Sequence, residues 1–109
     1  MATDKAYVQR VVEKMFPLEV SARAMFGGYG LYFGGKMFGL IVESQLFIRV
    51  TSSGEAMAGR ITREAPYPGA RSAFKISLGK LNDHDWLLAL VETTSFELPA
   101  PKPKKSRTT

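Results

Sequence analysis

Tyr29-Gly30-Leu31-Tyr32-Phe33-Gly34-Gly35-Lys36-Met37-Phe38-Gly39-Leu40-Ile41-Val42 is the stretch on which the fold turns. Two apolar runs are joined by a glycine pair. A two-residue type I′ turn needs positive φ at both central positions, and glycine adopts it without a Cβ clash. The pattern predicts a β-hairpin with strands over Tyr29–Phe33 and Met37–Val42. In the second strand Phe38, Leu40 and Val42 alternate with Met37, Gly39 and Ile41, so both faces are apolar. A strand of that kind is buried on both sides or meets a partner.

Working outward, further strands are expected near Val20–Met25 and Leu46–Val50, with a weaker turn signal at Ser44-Gln45. On the latter strand Leu46, Ile48 and Val50 share one face, and Phe47 and Arg49 the other. Upstream, Tyr7, Val8, Val11, Val12 and Met15 recur at helical spacing, predicting an amphipathic helix over Thr3–Phe16. Thr3 is its expected cap, and Pro17 ends it because proline disfavours helical geometry in the preceding residue.

Downstream, Ser52-Ser53-Gly54-Glu55 fits a capping box that opens a helix near Ser53–Glu64. Gly54 and Gly59 weaken that helix by about 1 kcal/mol each relative to alanine. Pro66-Tyr67-Pro68-Gly69 reads as a loop and Ala73–Leu78 as a fifth strand. Asn82 is the expected N-cap of a third helix, with Leu81 and Trp86 as a hydrophobic staple. Trp86, Leu87, Leu90 and Val91 form its buried stripe.

The order is helix, four strands, helix, strand, helix. Strands joined by short turns are antiparallel, so the expected fold is α+β. It is a two-layer sandwich in which a mainly antiparallel five-stranded sheet carries helices on one face. The other sheet face must be solvated or meet another chain.

A length of 109 residues suits one domain. The chain has no cysteine, which excludes a disulfide framework and thiolate metal sites. No apolar run approaches the ~20 residues that cross a bilayer, and the first ten residues lack a signal-peptide core. A cytoplasmic protein is the expectation. Of the net charge of +5, four units come from Lys102, Lys104, Lys105 and Arg107. The expected domain, residues 1–97, is therefore nearly neutral. Residues 98–109 form a basic Pro/Lys tail too poor in large apolar groups to offset the entropy of ordering.

Motifs with chemical potential are few. His84 is the lone histidine, between Asp83 and Asp85 at a helix start, where neighbours point about 100° apart and do not converge. It reads as a surface residue. Neither spaced carboxylates for acid–base chemistry nor a Gly-x-Ser-x-Gly nucleophile turn is present. Gly27-Gly28-Tyr29-Gly30 is followed by strand-like residues and not by a helix, so it reads as a tight turn and not as a phosphate loop. The aromatics Phe26, Tyr29, Tyr32, Phe33, Phe38 and Phe47 lie near Arg23, Lys36 and Arg49. Stacking on single-stranded bases is one use of such a set, and sheet core is the commoner one. The pattern predicts no catalytic residue, cofactor, metal or small-molecule substrate.

The stretch Val20-Ser21-Ala22-Arg23-Ala24-Met25-Phe26-Gly27-Gly28-Tyr29-Gly30-Leu31-Tyr32-Phe33 and its continuation to Ile41 resembles the signature of TfoX N-terminal domains. Its core is an Arg-x-Met-Phe-Gly-Gly-Tyr-Gly run followed by a turn and a Met-Phe-hydrophobic strand. The resemblance is close over the first half and thins beyond Thr51. It implies a two-layer fold with an antiparallel sheet. It also implies a role near transcriptional regulation of competence genes, exerted through protein contacts, with no catalytic residue to carry over.

The reading is thus a non-enzymatic regulatory or protein-interaction domain. Its expected contact residues are Arg23, Met25, Phe26, Gly27, Gly28, Tyr29, Met37 and Ile41, meeting a protein partner for which a second copy is a candidate. The alternative is a nucleic-acid-binding module using the sheet aromatics with Lys102, Lys104, Lys105 and Arg107, a weak, tail-dependent and salt-sensitive attraction.

Overall fold

The computed structural model describes residues 4–25 and 27–99. In chain order, helix α1 (Lys5–Lys14) is followed by strands β1 (Ser21–Met25), β2 (Gly28–Phe33), β3 (Lys36–Val42) and β4 (Gln45–Ile48). Helix α2 (Ser52–Ala58), strands β5 (Arg63–Glu64) and β6 (Ala73–Ile76), and helices α3 (Leu78–Leu81) and α4 (His84–Glu97) complete it. The strands form one antiparallel sheet in the order β1-β2-β3-β4-β6-β5. The α+β class stands, with six strands where five were expected.

The local chemistry explains most boundaries. Gly34 and Gly35 have φ of 62° and 79°, as a type I′ turn between β2 and β3 requires. The β3–β4 turn sits one residue earlier than expected, on Glu43 and Ser44, whose φ values are 51° and 56°. Asp4, and not Thr3, caps α1, its side chain accepting from the Ala6 amide at 3.1 Å; Thr3 lies outside the described residues.

Helix α2 is shorter than the sequence pattern suggests. Thr51, and not Ser52, is its N-cap, with Oγ1 accepting from the Gly54 amide at 3.0 Å. Gly59 ends it at φ 64°, a geometry that glycine adopts freely. Residues placed in its last turn by sequence instead form β5, which pairs with β6 as the sixth strand. The third expected helix is present as α4, and a short extra helix, α3, precedes it. Ser77 caps the short α3, and Asp83, in place of Asn82, caps α4 by accepting from the Trp86 amide.

All four helices contribute to one core against the sheet, α2 through Ala58. Val8 and Val11 from α1, Met15 at its C-cap, Leu81 from α3, and Leu87, Leu90 and Val91 from α4 pack on Leu31, Phe38, Ile41, Leu46, Ile48, Phe74 and Ile76. Trp86 is only half-buried, with the Lys80 ammonium 4.8 Å from its ring centroid. Leu98, expected to begin the tail, is buried in the core, so the packed part reaches one residue past Glu97. The rest of the expected tail, residues 100–109, lies outside the described residues apart from the exposed Pro99. No described helix is long and apolar enough to cross a membrane.

A bulge in β3 decides which side chains face the helices. Leu31 pairs with Gly39, yet the next residue, Tyr32, pairs with Met37, which leaves Phe38 as an extra residue in β3. Regular alternation would put Phe38 beside Leu40. The bulge instead turns Phe38 into the helix-facing core with Ile41. Leu40 and Phe47, paired across β3 and β4, are buried on the opposite face.

Candidate interaction surface

The face of the sheet away from the helices is built from β1, β2 and β3. Cross-strand pairing places Met25, Gly28 and Val42 in one row and Arg23, Gly30 and Leu40 in the next. The two rows are two residues apart along each strand, so they point to the same face, and the absence of side chains at Gly28 and Gly30 leaves a hollow there. The glycines matter sterically. A Cβ on Gly28 would lie 2.2 Å from the Ile41 carbonyl oxygen, and one on Gly30 would lie 3.0 Å from Met37 Sδ and 3.1 Å from Met25 Sδ.

β1 is a sheet edge, and four of its five residues are exposed. Met25 is 40 % exposed at its end, next to the connection in which Gly27 turns at φ 66°. The Arg23 guanidinium lies 5.3 Å from the Tyr32 ring centroid, within cation–π range. An exposed edge strand keeps backbone donors and acceptors available to a further strand, the basis of strand addition by a partner.

The second sheet face is not left bare, contrary to expectation. The 65–72 loop folds back over it, and Tyr67, 51 % exposed, borders a cavity of about 390 Å³ with Met25, Gly28, Leu40 and Val42. Part of the apolar character of β3 is therefore satisfied within the chain.

Of the residues expected at a contact surface, Arg23, Met25 and Gly27 are exposed; Met37 and Tyr29 are half-buried. Gly28 is buried and forms part of the hollow's floor. Ile41 is a correction: it is fully buried in the helix-facing core, because its parity in β3 points it inward. Phe26 and the tail cations Lys102, Lys104, Lys105 and Arg107 lie outside the described residues. Among the aromatics considered for base stacking, Phe38 and Phe47 are buried, and Tyr29 and Phe33 pack against the core. Sequence reasoning missed Tyr67, whose only signal was a proline-flanked loop position.

The ionisable groups hold the scaffold together. His84 is exposed, its Nε2 2.9 Å from the Phe16 carbonyl oxygen, linking the start of α4 to the end of α1. Burial raises the Tyr7 phenol above its ordinary value, against the smaller lowering effects of the Leu46 backbone and Arg10. Arg63 and Glu55 form an ion pair beside β5, and Lys75 and Glu64 pair at 3.1 Å across β5 and β6. Among the described residues no group of three His, Asp or Glu side chains gathers at metal-binding distance.

The fold and surface define a small α+β domain whose antiparallel meander presents a free strand edge beside a half-covered apolar face. The TfoX N-terminal domain family matches residues 17–95, and the chain belongs to that family. It is also similar to an uncharacterized 12.7 kDa protein in the trpE 5′ region of Spirochaeta aurantia. The two are 32 % identical over 109 residues, covering 99 % of this chain and 94 % of that protein.

Proposed function

We propose that this chain is a regulatory domain that works by protein contact and carries out no reaction of its own. The observation that carries the reading is the exposed β1 edge ending in Met25, set beside the Arg23–Tyr32 contact. A partner strand added to β1 would gain main-chain hydrogen bonds, and Met25 would supply an apolar anchor. A second copy of the chain is one such partner, because an antiparallel β1–β1 pairing is self-complementary. A regulatory setting is what membership of the TfoX N-terminal domain family suggests.

The test compares wild type with Met25→Asp in affinity capture from the native cell, alongside light scattering at micromolar concentration. The reading expects a protein captured by wild type, or a dimer, that Met25→Asp loses. Equal capture by both forms, or a monomer that captures nothing, would remove it. The nucleic-acid alternative rests on the basic tail and is tested by mobility shift with and without residues 100–109.

A further inference from the structure

The hollow beneath the 65–72 loop continues into a second one. Leu40 and Tyr67 border both the 390 Å³ cavity and a neighbouring cavity of about 320 Å³. The two cavities adjoin at these residues and together make one groove. Their linings differ in kind. The first half is walled by Met25 and Val42 over the Gly28 floor and carries no charged side chain. The second is lined by Arg49, Arg71 and Ser72, and among the described residues no carboxylate lines it.

The charge is available at the basic end. Arg49 is exposed and uses one guanidinium N–H on the Met37 carbonyl oxygen at 3.2 Å, while a guanidinium has five N–H donors in all. Arg71 is exposed as well. The one acidic side chain on the adjoining strands, Glu64, is held by Lys75. Volumes of this size match small-molecule sites, which pair an apolar body with a few placed polar groups. Methionine walls adapt to ligand shape, because the thioether chain is flexible and polarisable.

We infer that this groove binds a small amphiphilic carboxylate. Its hydrocarbon body occupies the Met25–Gly28–Val42 end, passes beneath Tyr67, and places its carboxylate on Arg49 and Arg71. Two guanidiniums with no competing acid select an anionic head, and the charge-free half excludes a polar tail. Tyr67, half-exposed on a loop, is the side chain that must shift for entry. The inference shares Met25 with the β1 edge reading but does not depend on it, since it concerns the groove lining and needs no protein partner.

The test is a titration of the isotopically labelled 109-residue protein followed by amide NMR, using octanoate, 1-octanol and octylammonium as probes. Octanoate is expected to produce saturable shifts confined to Gly28, Leu40, Val42, Tyr67 and Arg71. The Arg49→Gln/Arg71→Gln double variant is expected to weaken octanoate by at least about tenfold and to leave 1-octanol unchanged. Both positions are exposed, so the fold is retained, which the unperturbed spectrum verifies. Equal affinity for octanoate and 1-octanol, shifts scattered over the surface, or octanoate binding indifferent to the double variant would each overturn the assignment.

Discussion

Glu97, the last residue of α4, closes the start of α2 through Ser53: its Oε1 accepts the Ser53 amide at 2.8 Å, and its Oε2 accepts the Ser52 amide at 2.9 Å. Those amides belong to the first turn of a helix and have no partner within it. The Ser53 amide, then the Ser53 hydroxyl and the Ser52 amide, hold the Glu97 carboxyl below its ordinary value of 4.5. With a folded-state value below the unfolded one, the contribution to stability is present above 4.5 and is lost as pH falls through the lowered value. Glu97→Gln is therefore expected to be less stable than wild type at neutral pH and to match it near about pH 2. Urea denaturation at the two pH values measures the gap, and a gap that persists in acid would mean the charge is not responsible.

The bulge in β3 makes neighbouring residues unequal. Phe38 is fully buried and Met37 only half so. Phe38→Ala is expected to cost about 3–5 kcal/mol, the range for emptying a buried aromatic site. Met37→Ala, at a partly solvated position, is expected to cost less than half of that. Chemical denaturation of the two variants decides it; equal losses would mean that Phe38 is not in the core.

Gly54 sits where α2 crosses α4. A Cβ there would lie 2.8 Å from Thr51 Oγ1 and 3.3 Å from Thr94 Oγ1. Alanine has the higher helix propensity by about 1 kcal/mol, yet overpacking costs about 1–3 kcal/mol. Gly54→Ala is expected to destabilise, while Gly79→Ala in α3, whose Cβ would meet nothing within 4 Å, is expected to be neutral or slightly stabilising. Thermal unfolding of the pair tests the sign, and a stabilised Gly54→Ala would show that the helices can separate.

Thr94 is wholly buried, and among the described residues its Oγ1 has no hydrogen-bond partner. Removing a buried, unsatisfied hydroxyl while keeping the shape relieves its desolvation penalty, about 1–3 kcal/mol at most. Thr94→Val is expected to be at least as stable as wild type in a denaturant titration. A clear loss would reveal a bond to this hydroxyl in solution.

How much of this was legible in the sequence depends on distance along the chain. The Gly34-Gly35 turn, the α1 stripe and the stop near Pro17 are local events, each set by a few adjacent residues. The Arg23–Gly30 run was readable as a turn entering a strand, and as a family signature. Leu46 and Ile48 against Phe47 and Arg49 followed from alternation alone. By contrast, Ile41 was misplaced and Tyr67 overlooked, because what covers each face of β3 comes from elsewhere in the chain.

The sequence alone determined the strand–turn–strand order, the helix stripes and the α+β class, since propensity, glycine backbone freedom and hydrophobic period are properties of short segments. Tertiary structure decided the side of the sheet on which Phe38 stands, the strand that took up Arg63–Glu64, the loop that covers Leu40 and the carboxylate that caps α2. Those outcomes depend on groups brought together by folding and not on immediate neighbours, as with Ser53 and Glu97, 44 residues apart. Local rules carry no information about which distant group will arrive.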